Sequence, residues 1–149
     1  DSCWVANINA PGQIVIAGTP EGLEQATDAA RAAGIRKVMP LDVAAAFHTP
    51  LMDDAAISFA EYLPSIEFAA PSAPIVSNED GVAYTDGNAN GGGGWQTRLV
   101  THLVKPVRWA DSMTTIDSLC PSSLREVGPG NTLTALAKRC LPDSEWIKN

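Results

Sequence analysis

The stretch Asn7-Ile8-Asn9-Ala10-Pro11-Gly12-Gln13-Ile14-Val15-Ile16-Ala17-Gly18 decides the fold. Pro11 suits the second position of a turn and Gly12 tolerates positive φ, so the chain reverses between two apolar segments. Cys3 to Ile8 reads as a short strand and Asn9 to Gly12 as the turn. Gln13 to Gly18 is β-branched and almost continuously apolar, as a buried strand is. Thr19 then caps a helix that has Pro20 at its first position and Glu21 in its first turn. Leu23, Ala26, Ala30 and Ala33 form a narrow apolar stripe at helical spacing. Gly34 ends the helix at the C′ position, and Ile35 to Met39 is expected to be a third strand.

Strand, strand, helix, strand is the order of the last four elements of a βαββαβ ferredoxin-like lobe. Residues 1–40 are therefore expected to be a partial ferredoxin-like small subdomain. Half of such a lobe leaves a sheet edge and a sheet face bare. The first residues carry neither a start methionine nor the basic and apolar regions of a signal peptide. Both features suggest a chain cut from something longer.

Beyond residue 40, Val43-Ala44-Ala45-Ala46-Phe47-His48-Thr49-Pro50-Leu51-Met52 delivers one of only two histidines to a helix start at Thr49-Pro50. A histidine at the mouth of a helix is well placed for a general base, although most single histidines serve only packing or capping. Asp53 and Asp54 complement the dipole of that helix, whose inner face reads Met52, Ala56, Phe59, Ala60 and Leu63 before Pro64 stops it. Pro71 and Pro74 frame a linker to the strand Ile75-Val76-Ser77. Glu79 to Gly94 reads as a long polar loop. Its four terminal glycines lack the Lys-Ser/Thr of a phosphate-binding loop and fit a flexible surface segment.

Trp95 to Val104 is predicted helical, with Leu99, Val100 and Leu103 inward and His102 near its end. Pro106 is expected to open the next helix, through Trp109, Met113, Ile116 and Leu119. Ser123 to Val127 reads as a last strand, Gly128-Pro129-Gly130 as a turn, and Thr132 to Cys140 as the closing helix. The tail from Leu141 is polar apart from Trp146 and Ile147. Strands joined through helices point to an α/β layer with a parallel core.

The chain has 149 residues, 45% of them apolar, enough for one domain or two small lobes. Its net charge of −7, with no basic cluster, argues against a nucleic-acid surface. No apolar run approaches the roughly 18 residues of a membrane span. Cys3, Cys120 and Cys140 are odd in number and widely spaced, which fits neither a disulfide framework nor a zinc site. They read as reduced thiols in a cytoplasm-like compartment, and a cytoplasmic location is expected.

Several separated motifs agree on one family. Asn7 to Gly18 resembles the N-x-N-x-P-G-Q-x-V-I-x-G strand turn of malonyl-CoA:acyl-carrier-protein transacylases. Val43 to Met52 resembles the catalytic-histidine segment of that family. Ile75-Val76-Ser77-Asn78, Pro106-Val107-Arg108-Trp109 and Glu126-Val127-Gly128-Pro129-Gly130 are similar to its later landmarks, in order. The resemblance implies that residues 41–149 are the C-terminal part of an α/β hydrolase-like acyltransferase large subdomain. It also implies ping-pong transfer of a malonyl group from malonyl-CoA to the phosphopantetheine thiol of acyl carrier protein, for fatty-acid or polyketide synthesis. No cofactor or metal is implied beyond the CoA thioester substrate.

By the same resemblance His48 is the catalytic base. Its ring would be oriented by a main-chain carbonyl three residues before the N-P-V-x-W signature. That position, usually glutamine, is His102 here, and a second histidine does not supply the ligand count of a metal site. In related acyltransferase domains a bulky residue at the position of Phe47 goes with malonyl, and a smaller one with methylmalonyl. Asn9 stands where the family's second asparagine could reach the acyl or pantetheine chain; a turn asparagine bonding its own backbone is the plainer alternative.

The nucleophilic serine elbow, the arginine that pairs with the malonyl carboxylate and the oxyanion glutamine all lie N-terminal to this region in the family. No G-x-S-x-G occurs in this sequence, and Ser112, Ser118, Ser122 and Ser123 lack the glycine flanks that such a strained turn requires. An N-terminal half carrying the serine is thus an implied partner, and the chain alone is expected to be inactive. The alternative is an inactive carrier-protein-binding or assembly module of the same fold. A thioesterase-like hydrolase is disfavoured by the missing elbow.

Overall fold

The computed structural model describes residues 2–85, 94–145 and 147. Strand β1 (Cys3–Ala10) turns through Pro11-Gly12 into the antiparallel strand β2 (Gln13–Gly18), with Ala10 opposite Gln13. Gly12 has φ 72°, the left-handed value that a two-residue turn of this kind needs. Helix α1 (Pro20–Ala32) follows, and its Thr19 cap accepts a hydrogen bond from the Gly22 N–H at 3.1 Å. A 3-10 turn at Pro50–Met52 leads into α2 (Asp53–Tyr62). A second antiparallel pair, β3 (Ile75–Val76) and β4 (Ala83–Tyr84), precedes α3 (Gly94–Val104), α4 (Trp109–Ser118) and α5 (Thr132–Cys140).

The hairpin is tied to the rest of the molecule through β1. The Ile8 N–H donates to the Val107 carbonyl at 2.8 Å, and the Val107 N–H donates to Ala6 at 2.8 Å, forming one parallel bridge at Asn7 and Val107. Helices α4 and α5 pack on the same strand. Arg139 of α5 hydrogen-bonds the Pro11 carbonyl at 3.1 Å and the Gln13 side chain, fixing the turn. The core residues at this junction are small: Ala6, Ala10 and Ala137 are buried, with Met113 the one large apolar side chain beside them. Small side chains let strand and helices approach closely and leave little apolar area within the chain to bury.

Several expectations are corrected. Ile35 to Met39 is not a strand, because no neighbouring strand in the described residues offers it backbone partners, and Ile35 and Met39 are exposed. Residues 1–40 therefore hold a hairpin and one helix. Ser123 to Val127 is also not a strand: only Leu124 is bridged, with its N–H on the Glu145 carbonyl and its carbonyl taking the Ile147 N–H. The sheets are antiparallel pairs and there is no parallel core sheet among the described residues. The order remains a mixture of strand and helix, as an α/β chain requires.

Helix α4 begins at Trp109 rather than Pro106, because Val107 is spent on the bridge to β1. Ala60 and Leu99 face outward, against expectation. The polar segment after Ser77 is not wholly loop, since it returns as β4 and buries Gly81 and Tyr84. The glycine run at 91–93 and Trp146 lie outside the described residues.

Gly81 shows why the return is tight. Its φ is 73°, and a Cβ there would lie 2.7 Å from the Asp111 Cβ. Its carbonyl accepts the Thr115 hydroxyl at 2.5 Å and its N–H donates to Ser77 at 2.8 Å. Gly81→Ala is therefore expected to cost about 2–5 kcal/mol, the sum of left-handed strain and overpacking. Urea unfolding measures this, and an unchanged midpoint would show that the β3–β4 return does not press on α4.

The surface is larger than the chain's size warrants. Its accessible area is 9868 Å². A compact monomer of 15.6 kDa would expose about 7,200 Å². Val5 and Ile16 are cross-strand partners, and both are exposed together with Ile14, so one face of the hairpin is uncovered. Met39, Leu41 and Val43, in the segment that leads to His48, are exposed as well.

Candidate active site

The two histidines, 54 residues apart in sequence, meet at the C-terminus of α3. An α-helix leaves its last carbonyls without partners inside the helix. Two of those carbonyls are taken by His48: its ring Nδ1 lies 2.7 Å from the His102 oxygen, and its backbone N–H donates to Leu103 at 3.0 Å. A carbonyl only accepts, so this bond places the ring proton on Nδ1. The neutral imidazole then carries its lone pair on Nε2, the form a base needs.

The backbone of His48 is strained in a way that serves this geometry. Its φ is 63°, one of two left-handed non-glycine residues among those described. Such a conformation costs on the order of 1–3 kcal/mol and persists where surrounding contacts enforce it. The two bonds to α3 are such contacts, and Thr49 supplies a third constraint. Thr49 is fully buried, donates to the Ala46 carbonyl at 2.7 Å and caps the turn into α2 through the Leu51 N–H at 3.3 Å. The corner is thus held on both sides of the imidazole.

His102 contributes its side chain to the contact as well as its carbonyl. The two rings lie 4.8 Å apart between centroids, tilted by 38°. Burial pushes the His102 imidazole below its ordinary pKa, and the neighbouring His48 adds to that, against the pull of Glu79. Its Nε2 is buried with no hydrogen-bond partner among the described residues.

Phe47, the residue before His48, is 44% exposed. Asn9 lies on β1. Its carbonyl accepts the Cys140 thiol of α5 at 3.5 Å, and no described hydrogen bond joins its side chain to either histidine. Among the described residues no group of three or more His, Cys, Asp or Glu side chains is arranged to hold a metal ion. No described helix is long and apolar enough to cross a membrane.

A polar cluster beneath α3 was not foreseen. Arg98, one helical turn before His102, bonds Glu79 at 3.0 Å and Asp80 at 2.5 Å, and its guanidinium lies 3.7 Å over the Tyr84 ring. Lys105 joins Glu79 at 3.1 Å, and the Tyr84 hydroxyl donates to Asp80 at 2.6 Å. Burial pushes the Asp80 carboxyl up, but the Tyr84 hydroxyl, the Val82 N–H and Arg98 together hold it below its ordinary value. Burial and Asp80 push the Tyr84 phenol up to about 12. The Asp80-Gly81 dipeptide was the available signal, since it marks a turn that brings a carboxylate back toward the helix.

No protein-family model matches the chain. It is 42% identical over 133 residues to the malonyl CoA-acyl carrier protein transacylase of Salmonella typhimurium, covering 89% of this chain and 41% of that protein. The crystal structure of a malonyl-CoA:acyl carrier protein transacylase from Xanthomonas oryzae superposes with a TM-score of 0.89 at 32% identity, over 97% of this chain and 45% of the other. A malonyl-transacylase solved in complex with a type II PKS acyl-carrier protein superposes with a TM-score of 0.88 at 38% identity, over 97% of this chain and 45% of that one. The chain spans about two fifths of the length of the Salmonella relative.

Proposed function

We propose that this chain, a homologue of part of the malonyl CoA-acyl carrier protein transacylases, supplies the general base for transfer of a malonyl group from malonyl-CoA to the phosphopantetheine thiol of acyl carrier protein. One observation carries the reading: His48 Nδ1 is bound to the His102 carbonyl at 2.7 Å, which leaves Nε2 as the free, basic nitrogen. The reaction needs a serine that another polypeptide segment provides, because no glycine-flanked elbow serine occurs here.

In the first half-reaction the serine oxygen attacks the malonyl thioester carbon while His48 Nε2 takes the hydroxyl proton. The tetrahedral adduct collapses, the carbon–sulfur bond breaks, and the imidazolium returns the proton to the departing CoA thiolate. In the second half the carrier thiol gives its proton to Nε2 and attacks the malonyl ester. Serine then leaves and recovers that proton. The C-terminal carbonyls of α3 face the ring, and their partial negative charge stabilises the imidazolium in both halves. A main-chain oxygen thereby does the orienting work of a triad carboxylate.

Phe47 gives the substrate preference in this proposal. Its ring beside the acyl α-carbon leaves no room for a branch, which favours malonyl over methylmalonyl units. Asn9 would act on the acyl or pantetheine chain only if bound substrate extends to β1. No cofactor beyond the thioester is required. The product would feed fatty-acid or polyketide synthesis.

The test is complementation. The chain is mixed with a separately made segment bearing the serine elbow, and radiolabelled malonyl-CoA and carrier protein are added. The chain alone should take up no label; the pair should yield labelled serine in the added segment and then labelled carrier protein. Label bound covalently to this chain, or a pair that stays inert where an intact relative transfers, would overturn the proposal.

A further inference from the structure

We propose that the Arg98–Glu79–Asp80 cluster is a positioning device for His48, setting the ring's aim through the placement of α3. This rests on the reading of His48 as the base, and it adds residues that the reading does not require. The argument is geometric. His48 has two hydrogen bonds to α3, both to carbonyls of the last helical turn, so a shift of the helix moves the ring with it. What fixes α3 on that side is Arg98, four residues before His102.

Arg98 is held from three directions at once. Two carboxylates meet the same guanidinium nitrogen, and the Tyr84 ring lies against the guanidinium plane. The side chains of Arg98 and Glu79 are 16% and 12% exposed, so water competes weakly for either. A charge pair that is little exposed and shares partners has few alternative geometries, and removal of one member leaves the other uncompensated. Glu79 also meets Lys105, the residue just past α3, but that lysine is 57% exposed, so the grip on the helix is chiefly through Arg98. The carboxylates are themselves fixed. The Val82 N–H and the Tyr84 hydroxyl bond Asp80, and the Glu79 N–H donates to the Ser77 hydroxyl. A surface ion pair would not have this consequence, and the exposed pair of Arg31 and Asp28 on α1 serves as the contrast.

The experiment reads the ring directly. In the 149-residue chain labelled with nitrogen-15 histidine, the hydrogen-bonded Nδ1 proton of His48 should give a resolved signal, assigned by its loss in His48→Gln. Arg98→Met and Glu79→Gln should each abolish or broaden that signal and lower the exchange protection of the His48 amide by at least about tenfold, as expected when the helix it bonds to is freed. Arg98→Lys should restore part of both, and Arg31→Met neither. In the complemented enzyme the same two substitutions should lower kcat for malonyl transfer by about tenfold to a hundredfold, with KM for malonyl-CoA held.

A role in stability alone predicts a lower Tm with the ring signal intact below it, and that result would overturn the proposal. So would an unmutated chain with no Nδ1 signal. If Arg98→Met does not fold, Glu79→Gln, which keeps the side chain's volume, still decides. If the complemented enzyme transfers nothing, the functional reading fails, while the resonance measurement still settles the clamp.

Discussion

Replacing His48 by alanine should lower malonyl transfer by the complemented enzyme at least about a hundredfold, the low end for a lost general base. The loss should fall on kcat, because the imidazole acts on the reacting proton and not on the binding of CoA. The fold should survive. The His48 N–H to Leu103 bond is made by the backbone and remains, so only the His102 carbonyl loses its partner. Alanine at φ 63° keeps the left-handed strain that histidine already carries, about 1–2 kcal/mol, and loses the ring's bond to α3 that helps to hold it. His48→Asn separates the two effects, since asparagine tolerates that backbone region but cannot serve as a base near neutral pH. Both variants should be equally inactive, with the asparagine form the more stable of the two. Transfer within a few fold of the unmutated enzyme in either variant would reject the role given to His48.

The second large effect concerns the uncovered surface. The accessible area exceeds that of a compact monomer by about 2,600 Å², and exposed apolar side chains run from Val5, Ile14 and Ile16 to Met39, Leu41 and Val43. Large apolar side chains exposed in this number mark a surface that another polypeptide can cover. The serine-bearing segment is the proposed occupant, because exposed Met39, Leu41 and Val43 belong to the segment that leads to His48. Titrating that segment into the chain should give a strongly negative heat-capacity change, the mark of apolar burial.

At a concentration of a hundred times Kd, linkage adds about 2.7 kcal/mol. For a chain of this size that raises Tm by about 5–10 °C. Ile14→Asp and Val43→Asp should each weaken the association by at least tenfold, each burying a charge that has no partner. A Tm indifferent to the segment, together with a monomeric chain that binds no apolar dye, would sink the idea.

Much of this was legible in local sequence. The Pro11-Gly12 turn, the Thr19 cap, the Thr49-Pro50 start and the closing helix each depend on residues within a few positions of one another, and all are where the pattern placed them. Ile35 to Met39 failed for the opposite reason. Its β-like composition describes a side-chain surface that wants to be covered, whereas a strand also needs backbone partners, and those come from elsewhere. Ser123 to Val127 failed likewise. Pro106 marked a boundary correctly but missed the helix start, because the chain first spends Val107 on β1.

The same division holds at the candidate site. Sequence alone named His48 and, through the position three residues before Lys105, the carbonyl of His102. It could not supply the bond to Leu103, the left-handed backbone of His48, or the grip of Glu79 on both Arg98 and Lys105. Local pattern determines turns, caps and helix limits because those energies arise between near neighbours in the chain. In the proposed arrangement the aim of the imidazole depends on residues 18 to 54 positions apart meeting at one helix. Only the packing of α3 against its neighbours decides that, since it sets which of the helix's last carbonyls a distant side chain can reach.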